Sequence, residues 1–129
     1  MTEAEFATQF EGSKKTSGLF ELGGWRWCHF RPAMSQKGWR TPLSGDKGLP
    51  DYIATRRREN EYRKETLFIE IKGEGGRLTL EEKDWVADLR AAGQSVHVWW
   101  PKDYQDAQEV LLAGCDFDFS HAKENGRLL

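Results

Sequence analysis

The sequence predicts an α/β fold in which a mixed four-stranded sheet is flanked by helices, in the order α-β-β-β-α-β with a further helix at the C-terminal end. Three observations carry this reading. Four short runs rich in β-branched and aromatic residues, at 25–30, 51–56, 66–72 and 95–100, read as strands. A helical pattern from Leu80 to about Ala92 separates the last two and is long enough to serve as a crossover between parallel neighbours. The chain has 129 residues, 38% of them hydrophobic, with six Trp and seven Phe, which is enough for one core and no second domain.

Taken in order, Thr2 reads as an N-cap with Glu5 three residues on, a capping-box spacing that opens a helix running to about Gln9. Gly12 and Gly18 weaken its continuation, and Gly23-Gly24 closes the segment. Trp25 to Phe30 is an aromatic-rich strand. The stretch from Arg31 to Pro50 holds three of the four prolines and three glycines and reads as a long loop, of a length more often functional than idle. The runs at 51–56 and 66–72 flank a polar, Arg-rich segment and suggest a hairpin. Lys72-Gly73-Glu74-Gly75-Gly76 is a turn. Thr79 caps the next helix, where Glu81, Glu82 and Asp84 suit its positive end and Trp85, Val86, Leu89 and Ala92 fall at helical spacing before Gly93 stops it. Ser95 to Trp100 alternates as a strand, Pro101 ends it, and Asp103 to Leu112 forms the last helix. Trp25, Trp27, Trp85 and Trp100 are most simply core.

Composition excludes several classes. The aromatic content is foreign to a disordered chain, no run approaches the roughly 18 apolar residues of a spanning helix, and MTEAEFATQF has acids where a signal peptide has bases. Cys28 and Cys115, far apart and only two, make neither a disulfide scaffold nor a zinc site. A cytosolic chain is the expectation. Charge nearly balances, 19 Lys plus Arg against 21 Asp plus Glu, but its distribution is uneven. Arg26, Arg31, Lys37, Arg40 and Lys47 face one acid, Asp46. Arg56, Arg57, Arg58, Arg63 and Lys64 form a second basic cluster, and from Asp103 onward acids dominate. One end of the molecule can attract an anion while the other repels it.

The residues with chemical promise are Pro50-Asp51 and Glu70-Ile71-Lys72. Along a strand, Glu70 and Lys72 share a face with Phe68, while Leu67, Ile69 and Ile71 point the other way into apolar packing. In a hairpin, Asp51 falls at the end far from the turn, beside Glu70 or Lys72. Two carboxylates then converge with a lysine at one sheet edge. Paired carboxylates suit Mg²⁺ or Mn²⁺, which retain waters and take one or two protein carboxylates with a phosphate. A neighbouring lysine can orient water or neutralise charge developing on phosphorus. Hydrolysis of a phosphodiester uses all three.

These residues also carry a resemblance. Gly48-Leu49-Pro50-Asp51 followed by Phe68-Ile69-Glu70-Ile71-Lys72 has the PD…(E)xK pattern of the PD-(D/E)XK nuclease superfamily. More narrowly, the chain resembles the small, stand-alone VRR-NUC (virus-type replication–repair nuclease) domains of phages and bacteria. Thr2-Glu3-Ala4-Glu5-Phe6, Gly24-Trp25 before a strand ending in His29, and the segment 73–93 match as well, so the resemblance spans about 2–112. It implies a restriction-endonuclease-like core and a nuclease domain over 1–112, with 113–129 as an acidic extension. It implies Asp51, Glu70 and the Ile71 backbone carbonyl as metal ligands, with Lys72 as the catalytic lysine. An acid on the first helix completes the site in the family. Glu5 is the best match, with Glu11 and Glu21 as rivals. Where the family often has Gln on the helix after the ExK strand, this chain has Glu82, which repels phosphate unless metal or lysine intervenes.

The resemblance implies a Mg²⁺- or Mn²⁺-dependent DNA endonuclease, acting on branched DNA as Holliday-junction resolvases do, and working as a homodimer. A flap or nicking nuclease and a non-catalytic nucleic-acid-binding module are the alternatives. Arg31, Lys37 and Arg40 are candidate phosphate contacts, Trp39 is a candidate for stacking on a base, and His29 could contact DNA or carry a proton. His97 is expected to pack with Trp99.

Overall fold

A computed structural model describes residues 1–30, 44–56 and 65–114, together with the backbone of 33–35 and 38–40. Helix α1 spans Glu3–Glu11 and is opened by the capping box read from the sequence. The Thr2 hydroxyl accepts from Glu5 N–H at 3.1 Å, and the Glu5 carboxylate accepts from Thr2 N–H at 2.9 Å. Gly12, at φ +82°, ends it by donating to Thr8 O. A four-residue helix, α2 (Leu19–Leu22), follows. The strands are β1 (Trp25–His29), β2 (Ala33–Ser35), β3 (Gly38–Arg40), β4 (Tyr52–Arg56), β5 (Thr66–Ile71) and β6 (Ser95–Trp99). Helix α3 (Leu80–Ala91) connects β5 to β6, and α4 (Tyr104–Leu112) follows a short 3₁₀ turn at Pro101–Asp103.

The main sheet has the order β1-β4-β5-β6, antiparallel between β1, β4 and β5 and parallel between β5 and β6. This is the mixed four-stranded sheet expected, with α3 as its crossover. Two differences stand out. The segment read as an unbroken loop contains β2 and β3, paired as a small hairpin with Ala33 opposite Arg40. The four residues of α2, bracketed by glycines, were not anticipated.

Leu67, Ile69 and Ile71 point into the main core, which α1, α2 and α4 cover with Phe6, Phe10, Leu19, Phe20, Leu111 and Leu112. Burying each such side chain stabilises the fold by roughly 1.5–3 kcal/mol. Trp25 is fully buried and Trp99 nearly so, whereas Trp27 is 36% exposed and Trp85 and Trp100 are only partly covered. Among the described residues, the core tryptophans are therefore Trp25 and Trp99. Trp27 sits on edge strand β1, and Trp100 donates its indole N–H to Gly76 O at 2.7 Å. His97 stacks on Trp99 as expected, with centroids 4.8 Å apart.

Arg56 does not belong to a solvent-facing basic cluster. It is buried, its guanidinium lies 4.2 Å above the Trp25 ring, and it donates to Gly23 O at 2.7 Å and Ala113 O at 2.8 Å. It ties β4 to the turn before β1 and to the end of α4. Arg57, Arg58, Arg63 and Lys64, like the acidic tail beyond Gly114, lie outside the described residues.

Candidate active site

The register of β4 against β5, with Tyr52 opposite Ile69, carries Asp51 level with Glu70 at the end of the hairpin remote from its turn. The Asp51 carboxylate accepts from Ile71 N–H at 2.9 Å, so the backbone of β5 fixes its rotamer. Glu70 is only 2% exposed, although it points away from Leu67, Ile69 and Ile71. Burial pushes its carboxyl up to about 9, and the negative charges of Asp51 and Glu82 add to that effect against the opposing pull of Lys72. Burial also raises Asp51, partly countered by the Ile71 N–H and by Glu70, His29 and Lys72. A carboxylate pair that resists ionising without added positive charge is the electrostatic signature of a functional site.

Lys72, just past β5, lies 3.5 Å from Glu70, and its ammonium donates to both oxygens of Glu82 at 2.9 and 3.1 Å. Burial alone would lower the Lys72 pKa, but the surrounding carboxylates outweigh it and hold it above the ordinary lysine value. Glu82 in turn serves the capping box of α3, accepting from Thr79 N–H at 2.8 Å. Burial would raise it, yet Thr79, Lys72 and Glu70 together lower it. Here the charge of this unusual acid is met by a lysine.

On the first helix, the acid the sequence favoured, Glu5, and its neighbour Glu3 stand differently toward Asp51. Glu5 is fully exposed and its carboxylate is engaged by the cap. It does not reach Asp51. Glu3 is exposed as well, yet partial desolvation first, and then Asp51, raises its pKa, with Lys72 and Glu82 also acting on it. Glu3 and Glu11 line one cleft of about 520 Å³ with His29, Asp51 and Ile71. The signal for Glu3 was present in the sequence, since it lies three, four and seven residues before the buried Phe6, Ala7 and Phe10, on their face of the helix. Glu21 lies on α2 and is exposed. Arg31 and Lys37 lie outside the described residues. Trp39 and Arg40 lie on β3, with side chains likewise outside the description.

Asp51 and Glu70 offer hard oxygen donors, and four carboxylates (Glu3, Asp51, Glu70, Glu82) surround one ammonium. Among the described residues, no three His, Cys, Asp or Glu side chains form a ready ligand cage. That donor set fits an ion such as Mg²⁺ or Mn²⁺, which keeps several waters and takes one or two protein carboxylates. It does not fit a zinc centre, which wants Cys and His.

With this geometry in view, comparison with known proteins decides the family. A family model of the VRR-NUC domain matches residues 32–100. The chain belongs to the VRR-NUC family. A solved structure described as a VRR_NUC domain protein superimposes with a TM-score of 0.51 at 25% identity, covering 88% of each chain. No curated protein matches. The VRR-NUC assignment makes this a nuclease domain and implies nucleic acid as substrate and divalent metal as cofactor. Among the described residues, no helix is long and apolar enough to cross a membrane.

Proposed function

We propose that the chain is a Mg²⁺- or Mn²⁺-dependent endonuclease that hydrolyses phosphodiester bonds in DNA, with branched DNA as its preferred substrate and a homodimer as its working unit. The observation that carries the chemistry is the convergence of Asp51 and Glu70 at one sheet edge with the Lys72 ammonium 3.5 Å from Glu70. Asp51, Glu70 and the Ile71 carbonyl would hold the metal, and Glu3, whose carboxyl feels Asp51 and Lys72, would be the first-helix acid that assists them in place of Glu5. When bound, the ion lowers the pKa of water and stabilises charge on a phosphoryl oxygen. Lys72, held at a fixed height by Glu82, donates to the attacking water or to a non-bridging oxygen. Glu70 and Asp51, crowded together, resist ionising until positive charge arrives, so the site favours a divalent cation and ionises with it. The branched-DNA preference and the dimer rest on likeness to junction resolvases and on symmetry, because a four-way junction needs two equivalent cuts and a two-fold interface provides them. On the same reading, 1–112 forms the nuclease domain and 113–129 an acidic extension of it.

The test is cleavage of labelled four-way junctions, flaps and nicked duplexes with and without Mn²⁺. Lys72→Ala and Asp51→Asn should each reduce cleavage at least about 100-fold while circular dichroism and gel shifts stay near wild type. Binding should survive because phosphate contacts elsewhere dominate affinity. Full activity in both variants would refute the site, and equal cleavage of all three DNAs would refute the branched preference alone.

A further inference from the structure

The hydrolytic reading leaves unused a large aromatic side chain beside its lysine. In the parallel pair of β5 and β6, Glu70 stands opposite Val98 and Ile71 opposite Trp99. Lys72 N–H donates to Trp99 O at 3.0 Å, so the ladder continues one residue past both strands. Trp100 is still extended there, at φ −104° and ψ 168°. Alternation therefore puts Trp100 next to Lys72, on the face of the sheet that bears Glu70. Lys72 keeps to that face, with its ammonium 3.5 Å from Glu70. Both residues stand at the carboxyl ends of parallel strands, the place where open α/β sheets bind their ligands.

The Trp100 indole is held as a platform, outside the core. Its N–H donates to Gly76 O at 2.7 Å, which fixes the ring against the turn after Lys72. That turn lies close to the lysine stem, because a Cβ on Gly76 would stand 3.3 Å from Lys72 Cβ. Trp100 is half-buried and is not a member of the core cluster that takes in Trp99. Among the described residues no second aromatic ring stacks on it. The exposed Lys102 lies over its face instead, with Nζ 5.9 Å from the ring centroid. A fixed ring with a cation above it suits a nucleic-acid base, since every base has a π-face and the ammonium can turn to a phosphate.

We propose that Trp100 stacks on the base of a nucleotide adjoining the scissile phosphate, and that the site thereby selects DNA in which that base is already unstacked, as in a flap or at a branch point. The proposal rests on the hydrolytic reading of Asp51, Glu70 and Lys72, which brings the phosphate to Lys72 and so a neighbouring base to the ring. A base inside a duplex must first leave its stack to reach the indole, whereas an unpaired base has little to lose. Stacking favours the unpaired strand without reading its sequence.

The experiment first maps where the wild type cuts a labelled flap DNA in Mn²⁺. Affinity is then read by fluorescence anisotropy on an Asp51→Asn background, with the nucleotide on either side of that position intact or abasic. With Trp100 present, one of the two abasic DNAs should bind at least about 5-fold more weakly than the intact flap. Trp100→Leu should weaken the intact flap by the same factor and lose nothing more when the base is removed. Trp100→Phe keeps a ring but cannot donate to Gly76 O, and it should recover most of the loss. Fully paired duplex should bind all three proteins alike. No loss at either abasic position with Trp100 intact would overturn the proposal, whether or not Trp100→Leu folds. So would losses that multiply, or a Trp100→Phe protein as weak as Trp100→Leu. If the wild type cleaves no DNA, the hydrolytic reading falls and this inference falls with it; cleavage without the coupling between Trp100 and the base removes only the inference.

Discussion

At the scale of the residue, two glutamates two positions apart have opposite fates. Glu5 completes the Thr2 capping box, and Glu3 shares the helix face of Phe6 and Phe10 and reaches the field of Asp51 and Lys72. Glu3→Gln should weaken Mn²⁺ binding, read by calorimetry, by about 10-fold, the lower end of the loss seen when groups supporting a metal site are removed. Glu5→Gln should leave Mn²⁺ binding unchanged. The reverse pattern would restore Glu5 to the site. Because Thr2 lowers the Glu5 pKa, the stability Glu5 contributes is present above the ordinary carboxylate range and is lost as pH falls through its depressed value. The sequence made the cap legible through its spacing, and that same spacing committed the Glu5 carboxylate locally. The convergence of Asp51, Glu70 and Lys72 was legible because strand alternation and hairpin geometry are both short-range rules. The Glu82 clamp on Lys72 was not, because it joins a strand end to a helix start across a glycine turn.

At the scale of the element, the site depends on where loops are allowed to touch helices. Gly48, two residues before Pro50, adopts φ +97°, and a Cβ there would meet the backbone of Glu81 at 2.7 Å and Glu82 N at 2.8 Å. The loop that delivers Asp51 thus rests directly on the first turn of α3, which delivers Glu82. Gly75 has a similar φ, +80°, but nothing within 4 Å of an added Cβ. Gly75→Ala should therefore cost only the left-handed backbone penalty, about 1–2 kcal/mol. Gly48→Ala should cost about 1–3 kcal/mol more, the usual penalty of overpacking. Urea unfolding followed by circular dichroism reads the difference, and equal costs would mean that the loop can lift from α3 freely. The long strands, α1, α3 and α4 were readable from periodicity and caps. The β2–β3 hairpin was not, because three-residue strands carry no period and the connection Gln36-Lys37 lacks the Gly or Asn that marks a two-residue turn.

At the scale of the whole molecule, the question is how a chain of net charge −2 can hold a polyanion. The answer lies in where the bases are tethered. Phe30 N–H donates to Asp51 O at 2.8 Å, so the segment from 31 to 50 leaves from and returns to the end of the sheet that holds Asp51. Arg31, Lys37, Arg40 and Lys47 are all within that closed segment, while from Asp103 onward acids outnumber bases. Connectivity alone therefore ties a basic segment to the site. Counterion release makes the slope of log K against log salt proportional to the number of phosphates neutralised, about 0.9 for each on duplex DNA. Reversing Arg31, Lys37 and Arg40 to glutamate should flatten that slope by about 2–3 and weaken binding uniformly across sequences. Fluorescence anisotropy on an Asp51→Asn background, where turnover is removed, makes the measurement clean. An unchanged slope would show that the segment turns away from DNA despite its tether. The phosphates would then have to be held by the bases at 57–64 beyond the opposite end of β4, reversing the direction from which the duplex enters.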